Sequence, residues 1–143
     1  MRIEAFLQES PMFCVSLASR RFDTLTTRLL KADNLNFLEA LILSAMFFES
    51  PRLVKPSQLA ATFSATRGNV SHCISSLEAK GYIQRKIDSE DGRAYRLALK
   101  PQGRKVAIRV IGALDKLQRE FEAQVGKESL QASLRVIRSL GDI

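Results

Sequence analysis

Between Thr66 and Lys80 the sequence sorts by helical period into two unlike faces. At about 100° per residue, Val70, Cys73, Ile74 and Leu77 fall together as an apolar face suited to packing inward. The opposite side presents Gly68, Ser71, His72, Ser75 and Ala79, with Thr66, Arg67 and Asn69 at the N-terminal end. This outer face is short-chained and polar and carries no carboxylate; Glu78 stands to one side. Its chemistry is hydrogen bonding, not catalysis. An α-helix enters the major groove of a duplex only where its side chains do not hold it off, and carboxylates there would be repelled by phosphate. On that reading Arg67 pairs with guanine, Asn69 with adenine, and Ser71, His72 and Ser75 with base edges or phosphates. The competing reading is an ordinary solvent-facing helix with small polar residues.

A second cluster follows. Arg93 stands close to Asp91 in the polar stretch Asp88–Arg93. One reading puts the Arg93 guanidinium into the minor groove, with Asp91 fixing its direction. The other is an exposed ion pair at a loop tip, worth about 0–1 kcal/mol. Asp88, Glu90 and Asp91 make this tip more acidic than a DNA contact favours. Arg85, Lys86 and Arg96 partly offset them, and Lys86, Arg93 and Arg96 join the expected DNA-binding set.

Charge agrees with this placement. Of a net +7, residues 65–109 carry +6, ten bases against four acids, while the rest has twelve against eleven. A concentrated basic surface favours a polyanion, because each neutralised phosphate releases condensed counterions. A solvated basic face is the plainer alternative. Cys14 and Cys73 are too few and too far apart for a disulfide framework or metal cluster, and His72 is the one histidine. No phosphate-binding glycine loop, zinc-protease helix motif or nucleophile elbow is present. Neither an enzyme nor a cofactor is expected. Ala40–Phe48, the longest uncharged apolar run, is far short of the roughly 20 residues that span a bilayer. The start of the chain lacks a signal-peptide layout. A cytoplasmic protein without membrane association is therefore expected.

The elements that must position these residues are legible from periodicity. Phe13, Leu17, Phe22, Leu25 and Leu29 mark an amphipathic helix from about Phe13 to Leu30, broken at Asp33-Asn34. Asn36 caps a second helix that ends before Pro51, and Pro56 opens a short third. Thr66 caps the fourth, which Gly81 stops in a left-handed backbone. The period then alternates: Ile83–Ile87 and Ala94–Leu99 predict a hairpin with Asp88–Arg93 as its turn. A long helix follows Pro101 to about Val125, Gly126 interrupts it, and a last helix aligns Leu130, Leu134, Ile137 and Leu140. Helix, helix, turn, helix, hairpin is the order of a winged helix-turn-helix, mainly α with a small β-hairpin wing (α+β). The apolar stripes on both sides exceed what one small domain can cover, which predicts a homodimer.

The run Leu77-Glu78-Ala79-Lys80-Gly81-Tyr82-Ile83-Gln84-Arg85, then Asp88, Asp91, Arg93 and Leu97-Ala98-Leu99-Lys100-Pro101-Gln102-Gly103, resembles the MarR family of bacterial regulators. The match runs from Leu59 to about Lys105. The resemblance implies one domain over 1–143, with 1–34 and 102–143 as dimerisation helices and 35–101 as the DNA-binding winged helix. It implies a homodimer on a pseudo-palindromic operator, usually repressing, with Arg93 as the minor-groove arginine, Asp91 its partner, and Arg67 to Ser75 the major-groove readers. Three positions depart from the family pattern: Lys100 replaces a usual threonine, and His72 and Gly92 replace frequent arginines.

Many members of that family bind small aromatic acids between the dimerisation and DNA-binding regions. Phe13, Phe37 and Met46 stand where such a cleft would be lined, although apolar residues at helical spacing also read as core. Other members sense peroxide through a cysteine in the first long helix, where Cys14 sits. Those sensors need tyrosine hydroxyls near the thiol. Phe37 and Ala40 occupy the corresponding positions, so the reading favours an inert, partly buried Cys14. A winged-helix module that binds protein stays open as the alternative, favoured by the acidic loop tip and by His72.

Overall fold

A computed structural model describes residues 2–142; Met1 and Ile143, the ends of the expected domain, lie outside them. The order is α1 (Arg2–Glu9), α2 (Pro11–Leu30), a 3-10 turn (Lys31–Asp33), α3 (Phe37–Glu49), α4 (Pro56–Thr62), α5 (Arg67–Ala79), β1 (Ile83–Ile87), β2 (Tyr95–Leu99), α6 (Pro101–Val125) and α7 (Lys127–Leu140). The mainly helical fold with one antiparallel hairpin is the expected architecture. Two differences have local causes. Helix α1, which the sequence reading did not contain, precedes Pro11 and is set apart from α2 by Ser10. Strand β2 starts one residue late because the Ala94 N–H is donated to the Asp91 carbonyl inside the turn. Among the described residues no helix is long and apolar enough to cross a membrane.

The chain forms two compact units, Leu29–Ala113 and the two ends, up to Arg28 and from Leu114. In the first, Asn34 turns the backbone left-handed (φ 52°) and Asn36 starts α3 with a capping box. The Asn36 side chain accepts the Glu39 N–H at 2.8 Å, and Glu39 accepts the Asn36 N–H at 2.9 Å. Glu39 is buried, and Lys80 at the end of α5 meets its carboxylate at 3.3 Å. Around this polar joint Ile42, Leu43, Leu59, Val70, Ile74, Leu77, Ile83, Leu97, Val106 and Val110 form the core. The whole apolar face expected for α5, Val70, Cys73, Ile74 and Leu77, is inside.

In the hairpin Ile83 pairs with Leu99, Arg85 with Leu97 and Ile87 with Tyr95. Val54, between α3 and α4, exchanges both backbone hydrogen bonds with Leu97 and so ties the hairpin to the helical layer. Gly81 lies at φ +77°, where a Cβ would be strained. Gly103, in the first turn of α6, brings its Cα against the Tyr82 carbonyl; a Cβ there would sit 2.0 Å from that oxygen. The Leu97-x-Leu99-x-x-x-Gly103 pattern thus records a helix seated directly on the strand entry.

The second unit is built differently. Helices α1 and α7 bury no residue at all. Phe6 and Phe13 touch at 5.6 Å between ring centroids, yet both stay exposed. Met12, Leu17, Phe22, Phe121, Leu134 and Ile137 are likewise open to solvent.

Candidate nucleic-acid interface

The outer face of α5 is built as its sequence requires. Thr66 lies outside the helix with extended backbone and accepts the Asn69 N–H at 3.1 Å, satisfying one of the donors left free by the first turn. Because Val70, Cys73, Ile74 and Leu77 are anchored inside, Thr66, Arg67, Asn69, Ser71, His72 and Ser75 all face solvent. No side-chain ion pair or hydrogen bond among the described residues engages the Arg67 or His72 side chain. Both are left able to bind a partner.

Arg67 and Ser71 border a groove of about 430 Å³ whose other walls are Lys55, Pro56, Ser57, Val70, Arg93, Ala94 and Tyr95. Three cations converge on this groove and no acid lines it. Arg67 and Arg93, widely separated in sequence, are brought together here. Lys55, Ser57 and Tyr95 were missed from sequence. The signal for Lys55 was its position just before the Pro56 helix start, the first helix of the helix-turn-helix pair; Tyr95 read only as a strand residue.

The hairpin turn explains its own acidity. Asp88 is buried at 7% relative exposure, and its carboxylate accepts the Glu90 N–H at 3.1 Å and the Arg96 Nε–H at 3.0 Å. The Glu90 amide first and the Arg96 guanidinium second hold this carboxyl below the usual aspartate range. Of three tip acids, one is therefore structural and neutralised. Asp91 orients Arg93 through the backbone: its side chain accepts the Arg93 N–H at 3.0 Å, a local turn bond, rather than pairing with the guanidinium. The Arg93 side chain remains exposed. Lys86 and Arg96 are directly opposite each other in the ladder, so the Asp88 pairing also relieves a like-charge contact.

Arg85 forms the joint between hairpin and helix. Its Nη2 donates to Ser75 Oγ at 3.0 Å, its Nε meets Glu78 Oε2 at 3.0 Å, and its guanidinium lies 4.9 Å from the Tyr95 ring centroid. Sequence reading gave Arg85 no role beyond balancing charge, because its partners are set by packing of β1 on α5.

The remaining candidates fall elsewhere. Phe37 and Met46 share α3 but stand nine positions apart, on opposite sides of the helix. Met46 is core, whereas Phe13 belongs to the terminal unit and is exposed. Cys14 is exposed, not partly buried as expected, since the start of α2 packs into no core; its S–H is donated to the Leu7 and Gln8 carbonyls at 3.3 Å. Cys73 is buried against Asn36, and burial pushes its thiol up, away from the reactive thiolate. Among the described residues no group of three or more His, Cys, Asp or Glu side chains could hold a metal ion.

A family model described as a winged helix DNA-binding domain matches residues 42–118. The HTH-type transcriptional regulator PrsX of Escherichia coli is 27% identical over 86 residues, 60% of this chain and 52% of its own. The chain thus spans about half the length of the curated relatives it matches. S. aureus MepR in its DNA complex superposes with a TM-score of 0.85 at 17% identity, over 94% of this chain and 98% of that one. The transcriptional regulator BldR from Sulfolobus solfataricus gives 0.77 at 28% identity over 97% and 98%. The MarR family regulator SP03579 gives 0.82 at 18% identity over 99% and 93%.

Proposed function

From the premise that the chain belongs to the winged helix DNA-binding domain family and has the fold of MarR family regulators, we propose that it is a transcriptional regulator. It acts in the cytoplasm as a homodimer on a pseudo-palindromic duplex and represses the genes beside it. The observation that carries the reading is the acid-free groove where Lys55, Arg67 and Arg93 converge beside the exposed polar face of α5. Arg67, Asn69, Ser71, His72 and Ser75 reach base edges in the major groove. Arg93 at the hairpin enters the adjacent minor groove, where narrow, strongly negative stretches attract arginine. Asp91 holds the turn that presents it. Lys55, an ammonium on a flexible stem, serves as a phosphate contact, as does Lys86 along the hairpin, whereas Arg96 stays paired with Asp88 and holds the turn.

Binding of the full chain to the DNA upstream of its own gene, followed over a salt series, tests this. Affinity is expected to fall steeply with salt, with a logarithmic slope of about −0.9 per phosphate neutralised. Arg93→Ala is expected to weaken operator binding; equal binding by that variant would remove the hairpin from the interface. Absence of any salt-dependent duplex binding, with co-purification of a protein partner, would replace DNA by protein as the ligand of this face.

A further inference from the structure

Every basic residue near the groove is a candidate DNA contact by charge alone, but the surroundings of Arg85 set it apart. We propose that Arg85 is a positioning residue: it fixes the hairpin against α5 and does not itself touch DNA. The inference rests on the DNA-binding reading above.

The register places Arg85 opposite Leu97, on the hairpin face that also carries Ile83. Ile83 and Leu97 are fully enclosed, so this is the face turned toward the helical layer. Lys86 and Arg96 lie on the other face. Arg85 leaves the packed face only at its edge, where its guanidinium makes three contacts at once: Ser75 Oγ and Glu78 Oε2, each at 3.0 Å, and the Tyr95 ring at 4.9 Å. Its charge already has a carboxylate partner. Turning outward to a phosphate would strand Glu78 beside the DNA and give up all three contacts.

Each contact has a consequence at the interface. Tyr95 is a wall of the groove that holds Arg67, Ser71 and Arg93, so stacking on Arg85 sets the position of that wall. Ser75 accepts from Arg85, which obliges its own hydroxyl proton to point away from the guanidinium. Ser75 is thereby prepared as a donor, suited to guanine O6 and N7, thymine O4 or a phosphate oxygen rather than to a base amino group. A flat guanidinium can bond Ser75 and Glu78 while lying on a ring; a lysine ammonium, a point charge, cannot.

The test compares wild type, Arg85→Lys and Arg85→Gln on two duplexes, one selected from a random library by the wild-type protein and one of unrelated sequence. All measurements are made well below each variant's unfolding midpoint. Both variants are expected to lose about tenfold in affinity for the selected duplex, the scale of one well-placed contact. Their salt slope should match wild type, and Arg85→Lys, which keeps a cation facing Glu78, should also keep the wild-type affinity for the unrelated duplex. A purely structural role would shift the unfolding midpoint and leave the ratio of the two affinities alone, which overturns the proposal. Wild-type behaviour of Arg85→Lys, with a slope shallower by about 0.9 in Arg85→Gln, would make Arg85 a phosphate contact and also overturn it. Should Arg85→Gln not fold, Arg85→Lys alone decides by its selected-to-unrelated ratio. Failure of the wild type to bind either duplex would sink the DNA-binding reading itself, a separate outcome.

Discussion

Arg93 keeps its guanidinium in solvent while Arg96 donates its Nε–H to a buried carboxylate at 3.0 Å, and this difference in partners assigns them different work. An arginine already neutralised by aspartate offers little to a phosphate, since the exchange replaces one charge-assisted bond by another. Lys55→Ala is accordingly expected to make the salt slope of duplex binding shallower by about 0.9 and to weaken selected and unrelated sequences alike. Titration of binding against salt checks it, and an unchanged slope would remove Lys55 from the interface. Asp88 carries a prediction in pH. Its carboxyl titrates lower in the folded chain than in the unfolded chain, because the Glu90 amide and then Arg96 favour the charged form. The stability this contributes is fully present above the unfolded value of about 3.9 and is lost as pH falls through the lower folded value. Asp88→Asn should therefore lower the thermal midpoint at pH 7, and the gap to wild type should close as the pH drops below about 4. A gap that persists in acid would mean that Asp88 acts through packing instead.

At the scale of elements, the joints of the winged helix are glycines and caps. Gly103 sits where a Cβ would meet the Tyr82 carbonyl at 2.0 Å, and backbone on both sides leaves nothing flexible to yield. Gly103→Ala is expected to destabilise by about 1–3 kcal/mol, as overpacking of a close contact does. Removing the Thr66 oxygen in Thr66→Ala is expected to cost about 1 kcal/mol, the usual worth of such a cap. Denaturant unfolding reads both; a neutral Gly103→Ala would mean that α6 can ride up from the strand entry. Three of these joints were legible in the sequence because each depends on one residue type at a helix end: Thr66 before α5, Gly81 after it and Asn36 before α3. The apolar face of α5 was legible too. The Glu39 half of the α3 capping box and the close approach at Gly103 emerge only in the fold. What was not legible depends on which distant segments meet. Lys55 joins Arg67 and Arg93 only once α4, α5 and the hairpin are packed, and Arg85 acquires Ser75, Glu78 and Tyr95 in the same step. Asp88 read as a solvent-facing tip acid because local pattern does not reveal that Arg96 folds over it.

The molecule as a whole is unevenly satisfied. The unit from Leu29 to Ala113 encloses most of its large apolar residues, Phe48, Ile87 and Ile108 apart, whereas the terminal unit leaves Ile3, Phe6, Met12, Leu17, Phe22, Phe121, Leu134 and Ile137 between 40% and 61% exposed. Scattered exposure of single apolar residues is ordinary, but two whole helices without a buried residue are not. Each large side chain removed from water contributes about 1.5–3 kcal/mol, so this surplus is a strong drive toward association. A second copy of the same chain is the partner that supplies matching helices, by two-fold pairing of one face with itself. Light scattering at micromolar concentration should give twice the chain mass of 16.0 kDa. Ile137→Arg, a charge placed on the exposed apolar face of α7, should shift the protein toward monomer while leaving the hairpin unit folded. Its operator affinity should fall with it, since two linked half-site contacts become one. A wild-type mass of one chain, or an Ile137→Arg variant that stays dimeric and binds unchanged, would turn the uncovered helices toward a different partner and leave each winged helix to read DNA alone.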